Sequence, residues 1–231
     1  FILYAQTWTG TSNANWNEAA NWNPAGVPAV TANIVIPGSV ASNNWPVFSG
    51  DVTVNSIDMQ PGCRLDVNGF NLTVTGVNMN NNFNGAVFDN SNSVATDIII
   101  NINTGINGFI TYFRSNTVND NIIFNITGSN QFIEAGAAPA NTYNGHVEFN
   151  INDMLSASIS YGVPSVFNGN LSVNRTIAGV TSLFYAGAII SGNFSFTDNS
   201  GSSTYMGNPG TKTSIGGLVN ILVNNPIPAV F

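Results

Sequence analysis

Short runs in which apolar and polar residues alternate recur along most of this chain. They are Ile34-Val35-Ile36, Val52-Thr53-Val54, Leu72-Thr73-Val74, 98–102, 122–126, 147–151, Leu171-Ser172-Val173, Phe194-Ser195-Phe196 and Val219-Asn220-Ile221. A period of two predicts strands with one side turned to a core and the other to solvent. The second apolar residue of each run is Ile36, Val54, Val74, Ile100, Phe124, Phe149, Val173, Phe196 or Ile221. From Val74 on, the interval is close to 24 residues, and repeats of that size predict stacked coils. A second series has the same interval: Ala86-Val87-Phe88, 109–113, Phe132-Ile133, Ile159-Ser160-Tyr161, Leu183-Phe184-Tyr185 and Thr204-Tyr205-Met206. Two or three strands per coil is what a parallel β-helix needs.

The approach to these strands repeats as well. Tyr143-Asn144-Gly145-His146 leads into Val147, Phe167-Asn168-Gly169-Asn170 into Leu171, and Ile190-Ser191-Gly192-Asn193 into Phe194. Ile215-Gly216-Gly217-Leu218 is a weaker copy. Asn-Gly also occurs at Asn68-Gly69, Asn84-Gly85 and Asn107-Gly108. Asn and Gly tolerate positive φ, so the phrase predicts corners with Gly145, Gly169 and Gly192 as turn residues. Asn-Gly is also a hairpin signal, and an antiparallel β-sandwich is the alternative. Hairpins would return about every 8–12 residues, which favours the helix of coils. Asn101, Asn125, Asn150 and Asn174 leave their strands at matching positions, predicting amide ladders between coils.

The fold expected is all-β: a right-handed parallel β-helix of about nine coils. Inward pairs such as Val147/Phe149, Leu171/Val173 and Phe194/Phe196, with Ile100 and Phe124, form its core. Residues 6–50 hold all four tryptophans, Trp8, Trp16, Trp22 and Trp45. Trp8, Trp16 and Trp22 are expected to cap the first coil, which would otherwise bare apolar side chains and a strand edge. A glycan platform is the other use for such residues. Residues 1–5 read as the remnant of a secretory signal peptide ending at Ala5. Residues 51–231 read as repeats that continue beyond Phe231.

Composition narrows the function classes. Hydrophobic residues make up 43% of the 231 positions and charged ones only 6%. The chain can build a core, and Asn, Ser, Thr and Gly must solvate its surface. Net charge is −7, with Arg64, Arg114, Arg175 and Lys212 the only basic residues. Four scattered cations cannot supply the phosphate contacts of nucleic-acid binding. No apolar run approaches the ~20 residues of a membrane span. The single cysteine, Cys63, excludes an internal disulfide and is expected in the core.

Catalytic constellations are not legible. Asp97 and Asp120 stand about one coil apart, with Glu148 beyond, but Asp97, Asp120 and Asp51 sit at strand entrances where a turn role is ordinary. His146, the only histidine, takes a corner position that Asn170 and Asn193 fill in later coils. No phosphate loop or zinc spacing occurs. No catalytic, metal or cofactor residue is assigned. Tyr112, Tyr161, Tyr185 and Tyr205 are candidates for a carbohydrate-binding face. Thr73/Thr75 suggests an ice-binding array, but the matching pairs Asn101/Asn103, Asn125/Thr127, Asn150/Asn152 and Ser172/Asn174 are not regular threonine.

The segment Trp8, Gly10, Trp16, Asn21-Trp22, Val27-Pro28, Ile34, Ile36-Pro37 resembles the opening of secreted surface repeat proteins of the Bacteroidota. That family often has an acidic residue where Asn33 stands. Phe167-Asn168-Gly169-Asn170-Leu171 is similar to the recurring element of repeat adhesins from gliding bacteria. The resemblance implies type IX secretion, cell-surface display, and no single activity. The expected function is a non-enzymatic structural or adhesive rod. Its expected partners are cell-surface or secretion-machinery proteins, glycans or further copies of itself. A carbohydrate-binding module is the alternative, followed by an ice-binding protein or a polysaccharide-active β-helix enzyme.

Overall fold

The computed structural model describes residues 5–76, 81–90, 97–103, 110–128, 131–152, 156–176 and 179–224. Three sheets form the faces of a β-solenoid, with two three-residue 3-10 turns as the described helical structure. One face has ten strands: Trp22–Asn23, Gln6–Trp8, Asn33–Ile36, Ser56–Met59, Asn81–Asn84, Ile110–Arg114, Gln131–Glu134, Ser156–Ile159, Val180–Leu183 and Thr204–Met206. The next has seven: Arg64–Asp66, Val87–Asp89, Thr117–Val118, Thr142–Tyr143, Ser165–Phe167, Ala188–Ile190 and Thr213–Ile215. The third has eight: Val52–Val54, Asn71–Val74, Asp97–Asn103, Asn121–Thr127, Val147–Ile151, Leu171–Arg175, Phe194–Asp198 and Val219–Val223.

The chain visits the three faces in that order, and each strand pairs in parallel with its counterpart one coil on. The one antiparallel pair among the described strands joins Gln6–Trp8 to Trp22–Asn23 at the N-terminal end. The antiparallel sandwich is therefore set aside. The coils number about eight rather than nine. Ile34 and Ile36, read as the first members of the main series, belong to the ten-stranded face, where Asn33–Ile36 pairs with Gln6–Trp8 and Ser56–Met59. Alternation alone cannot say which face a strand lies on.

Register places the expected core side chains in columns. Ile100, Phe124, Phe149, Val173 and Phe196 lie directly above one another, as do Ile122, Val147, Leu171 and Phe194. All nine are buried. Burying a side chain of this size contributes about 1.5–3 kcal/mol. Aromatic neighbours also stack: Phe124 on Phe149 at 4.9 Å and 6°, Tyr143 on Phe167 at 4.9 Å and 1°. Such pairs add about 0.5–1.5 kcal/mol each.

The corners differ from expectation in their physics. Gly145, Gly169 and Gly192 do not have left-handed φ. A Cβ on any of them would stand within 3 Å of the coil beneath, against Asn121 and Asp120, Gly145, or Asn170 and Gly169 respectively. They are glycine because the coils pass too closely for a side chain. The left-handed corner is elsewhere, just after the six ten-stranded-face strands from Asn81–Asn84 onward. It is formed by Gly85, Ser115, Ala135, Ser160, Phe184 and Gly207, with φ of 65, 61, 54, 53, 60 and 75°. Of the described Asn-Gly pairs, Asn68-Gly69 has both residues left-handed, at 49 and 80°. Asn107-Gly108 lies outside the described residues.

At the N-terminal end Trp8, Trp16 and Trp22 pack edge to face and stacked, with Trp8–Trp22 at 5.0 Å, Trp16–Trp22 at 4.7 Å and Trp16–Phe48 at 4.9 Å. They are 0–2% exposed. The indole of Trp8 donates to Asn44 O at 2.8 Å and that of Trp22 to Trp16 O at 2.9 Å. Trp45 is only partly buried. At the other end Val219 and Ile221 register with Phe194 and Phe196 yet are 54% and 40% exposed. No described strand pairs with their outer edge.

Candidate functional site

Polar side chains occupy two settings: a few inside the coils, and long rows outside them. Inside, Gln131-Phe132-Ile133-Glu134 alternates so that Phe132 and Glu134 point inward. Glu134 lies opposite Phe113, itself opposite Phe83, and has 0% exposure. Its Oε1 accepts from Asn141 Nδ2 at 2.5 Å, Ser165 Oγ at 2.5 Å and Tyr143 OH at 3.1 Å. Its Oε2 accepts from the amide of Ser160 at 2.6 Å. Burial raises the Glu134 pKa, and the four donors oppose that shift. Burial and the neighbouring Glu134 keep Tyr143 protonated well past its usual range.

The same parity buries Arg175 and Asp198. Leu171, Val173 and Arg175 point inward, as do Phe194, Phe196 and Asp198. Arg175 lies 3.4 Å from Asp198 and donates to Ser203 O at 3.1 Å, Thr204 Oγ1 at 2.8 Å and Gly179 O. Thr204 Oγ1 also donates to Asp198 Oδ2 at 2.9 Å. Burial lowers the Arg175 pKa and Asp198 supports its charge. Neither cluster opens to solvent, so both hold structure rather than a solute. Sequence reading passed over Glu134, Arg175 and Asp198. The parity of their strands was the signal.

The acids weighed for catalysis are dispersed. Asp97 Oδ1 accepts from Asn121, Asp120 Oδ2 from the amide of Asn90, Asp51 from the amide of Asn71, and Glu148 from Asn174. His146 sits at its corner with Nδ1 3.0 Å from Asn170 O. No three of His, Cys, Asp and Glu among the described residues are grouped to hold a metal. Cys63 is buried, and burial pushes its thiol up to about 12, so the thiolate is unavailable. A shallow groove beside the tryptophan cluster is lined by Trp45, Asp66 and the Arg64–Asp89 pair.

Outside, amide side chains join the coils in rows. Asn125 donates to Asn101 at 2.9 Å, Asn150 to Asn125 at 3.1 Å and Asn174 to Asn150 at 3.0 Å. Asn144 donates to Asn119 and Asn168 to Asn144 in a second row. Asn121, Asn170 and Asn193 instead accept the amide of the residue after the corner glycine one coil on. Asn33, where the resembling family often has an acid, accepts from Asn55 and Ser56.

The candidate tyrosines do not form one platform. Tyr161 and Tyr185 are each 43% exposed and stack on each other at 5.4 Å and 26°. Tyr205 is 47% exposed, while Tyr112 is half-buried beneath the Arg114 guanidinium. The chain matches no family model, no curated protein and no solved structure.

Proposed function

We propose that this chain is a structural or adhesive segment of an exported bacterial surface or filament protein, a stiff solenoid rod without catalytic activity. One observation carries the reading: the outward asparagines are spent on coil-to-coil hydrogen bonds rather than gathered into a pocket. Those rows add to the main-chain ladders of three faces, so bending or opening one coil breaks several bonds at once. Eight coils at ~4.8 Å per step span ~40 Å. A low charge makes lateral contacts weakly dependent on salt. Export and surface display are supported by the resemblance of the tryptophan segment and of Phe167-Asn168-Gly169-Asn170. The test is protease shaving of intact source cells with antibody detection. Loss of the chain from whole cells, with cytoplasmic markers intact, is expected. Detection of the chain only after lysis would overturn the proposal.

Carbohydrate binding is the second reading, favoured by the exposed Tyr161–Tyr185 pair. Aromatic faces stack on sugar rings, but these two rings spend one face each on the other. A glycan array decides: saturable binding lost in Tyr185→Ala supports it, and an array without signal removes it.

A further inference from the structure

Strand register alters one pattern that sequence spacing breaks. By spacing, Asn150/Asn152 is followed by Ser172/Asn174 and the Thr/Asn array lapses. Pairing sets Asn150 opposite Asn174, and Asn174 opposite Thr197. The next pairs are therefore Asn174/Thr176 and Thr197/Asn199, and the array continues to the last coil, where Leu222 stands opposite Thr197. On the outer surface of the eight-stranded face, one column runs Thr53, Thr73, Asn101, Asn125, Asn150, Asn174, Thr197 and ends on Leu222 in the last coil. A second, two residues along each strand, runs Thr75, Asn103, Thr127, Asn152, Thr176, Asn199, Asn224. In it Thr127 donates to Asn103 at 2.6 Å, Thr176 to Asn152 at 3.0 Å and Asn224 to Asn199 at 2.6 Å.

The two columns make a lattice. Its steps are ~4.8 Å between coils and ~6.7 Å along the strand. Both lie close to oxygen repeats on the surfaces of hexagonal ice. Asn101, Asn125 and Asn150 each give one N–H and accept one bond within the row, which leaves a second N–H and lone pair for water at an orientation the row fixes. Water on such a face is ordered by the protein before any crystal arrives, so less ordering remains to be done on contact. Flanking the first column, on the side away from the second, are Ile99, Ile123, Glu148, Ser172 and Ser195. They are short or apolar except for Glu148, which accepts from Asn174 at 3.2 Å.

We propose that the eight-stranded face binds ice, the ligand being the surface of crystalline water and the contacts the two Thr/Asn columns. This does not depend on export or on an adhesive role. The test is nanolitre osmometry of the purified chain, with partition of fluorescently labelled protein into a growing ice hemisphere. A gap between melting and freezing points that grows with protein concentration is expected, with label taken into the ice. Asn125→Lys, in mid-face, and Thr176→Lys, on the more exposed column, are each expected to lose most of the gap while keeping the wild-type circular dichroism. Ser158→Lys, outward on the ten-stranded face, should keep it, and Glu148→Ser should widen it. Wild-type protein that shows no gap and is excluded from ice overturns the proposal. So does a folded Thr176→Lys chain that retains the full gap.

Discussion

Glu134→Gln isolates what a buried carboxyl does in this core. The substitution is nearly isosteric, so packing against Phe113 and the coil above is kept. Gln has one oxygen and one amide nitrogen, and the nitrogen cannot accept. If it takes the Oε2 place it faces the Ser160 amide, and if it takes the Oε1 place it faces Asn141 Nδ2. Either way a buried N–H loses its acceptor, at a cost of about 1–3 kcal/mol. Protonated Glu134 avoids this, because its hydroxyl oxygen still accepts while its proton turns to Ser165 or Tyr143. The Glu134 pKa is raised above its ordinary 4.5, chiefly by burial. Its contribution to stability is therefore fully present below pH 4.5 and is lost as pH rises through the folded value. The Gln variant has no such dependence, and all other titrations cancel in the comparison. Wild type should exceed the variant by about 2 kcal/mol near pH 4.5, a melting difference of about 4–8 °C. The difference should narrow toward pH 8. Paired melts of the two proteins from pH 4.5 to 8 measure it. A difference that widens with pH would mean that the four donors outweigh burial, refuting the assignment.

Phe149→Asp, which puts a charge in the column of Phe124 and Val173, should abolish folding; soluble protein with a cooperative melt would contradict its core place. Gly169→Ala should cost about 1–3 kcal/mol by overpacking, since its Cβ meets the Gly145 carbonyl, whereas Gly207→Ala meets nothing within 4 Å and carries only the ~1–2 kcal/mol of a left-handed alanine. Urea titrations measure both, and a Gly169→Ala cost well below ~1 kcal/mol would sink the close-approach account. Cys63 should resist a thiol-specific disulfide reagent in the native state and react on unfolding; fast native labelling would place it at the surface. Arg175→Met should cost about 3–5 kcal/mol by stranding Asp198, and Asp198→Leu in the same chain should recover most of it. A double variant no more stable than Arg175→Met would show that the pair does not act as a unit.

The eight-stranded face was legible because its strands are the longest. Asp97–Asn103 and Asn121–Thr127 span seven residues each, long enough for alternation to show. The seven-stranded face was almost invisible for the opposite reason. Thr117–Val118 and Thr142–Tyr143 each contribute a single inward side chain, and two residues cannot display a period. The left-handed corner was missed because Ala135, Ser160 and Phe184 are not residue types that signal positive φ. Main-chain pairing with the neighbouring coil holds them there: Ala135 N donates to Phe113 O, and Phe184 N to Ile159 O. The glycine phrase was found for a reason that proved different. Spacing located Gly145, Gly169 and Gly192, but only the neighbouring coil shows that they lack room rather than need freedom.

Near-identical coils raise a problem of register that the apolar columns do not solve. Sliding one part of the stack by a whole coil would set Phe on Val or Leu on Phe at little cost, since every such position is apolar and of similar size. The outward asparagine rows would also re-form, because one asparagine serves as well as the next. Inward polar residues break this equivalence. Glu134 finds four donors only when Asn141 and Tyr143 of its own coil and Ser160 and Ser165 of the next surround it. Arg175 finds its carboxylate only one coil on, at Asp198, and its remaining acceptors on the turn before Thr204. A slip of one coil would bury each charge against apolar neighbours, costing several kcal/mol per unpaired ion. On this argument the polar clusters contribute uniqueness more than stability. They lie where the stack most needs it, in the run of coils from Gln131 to Thr204 whose eight-stranded-face strands are closest to exchangeable.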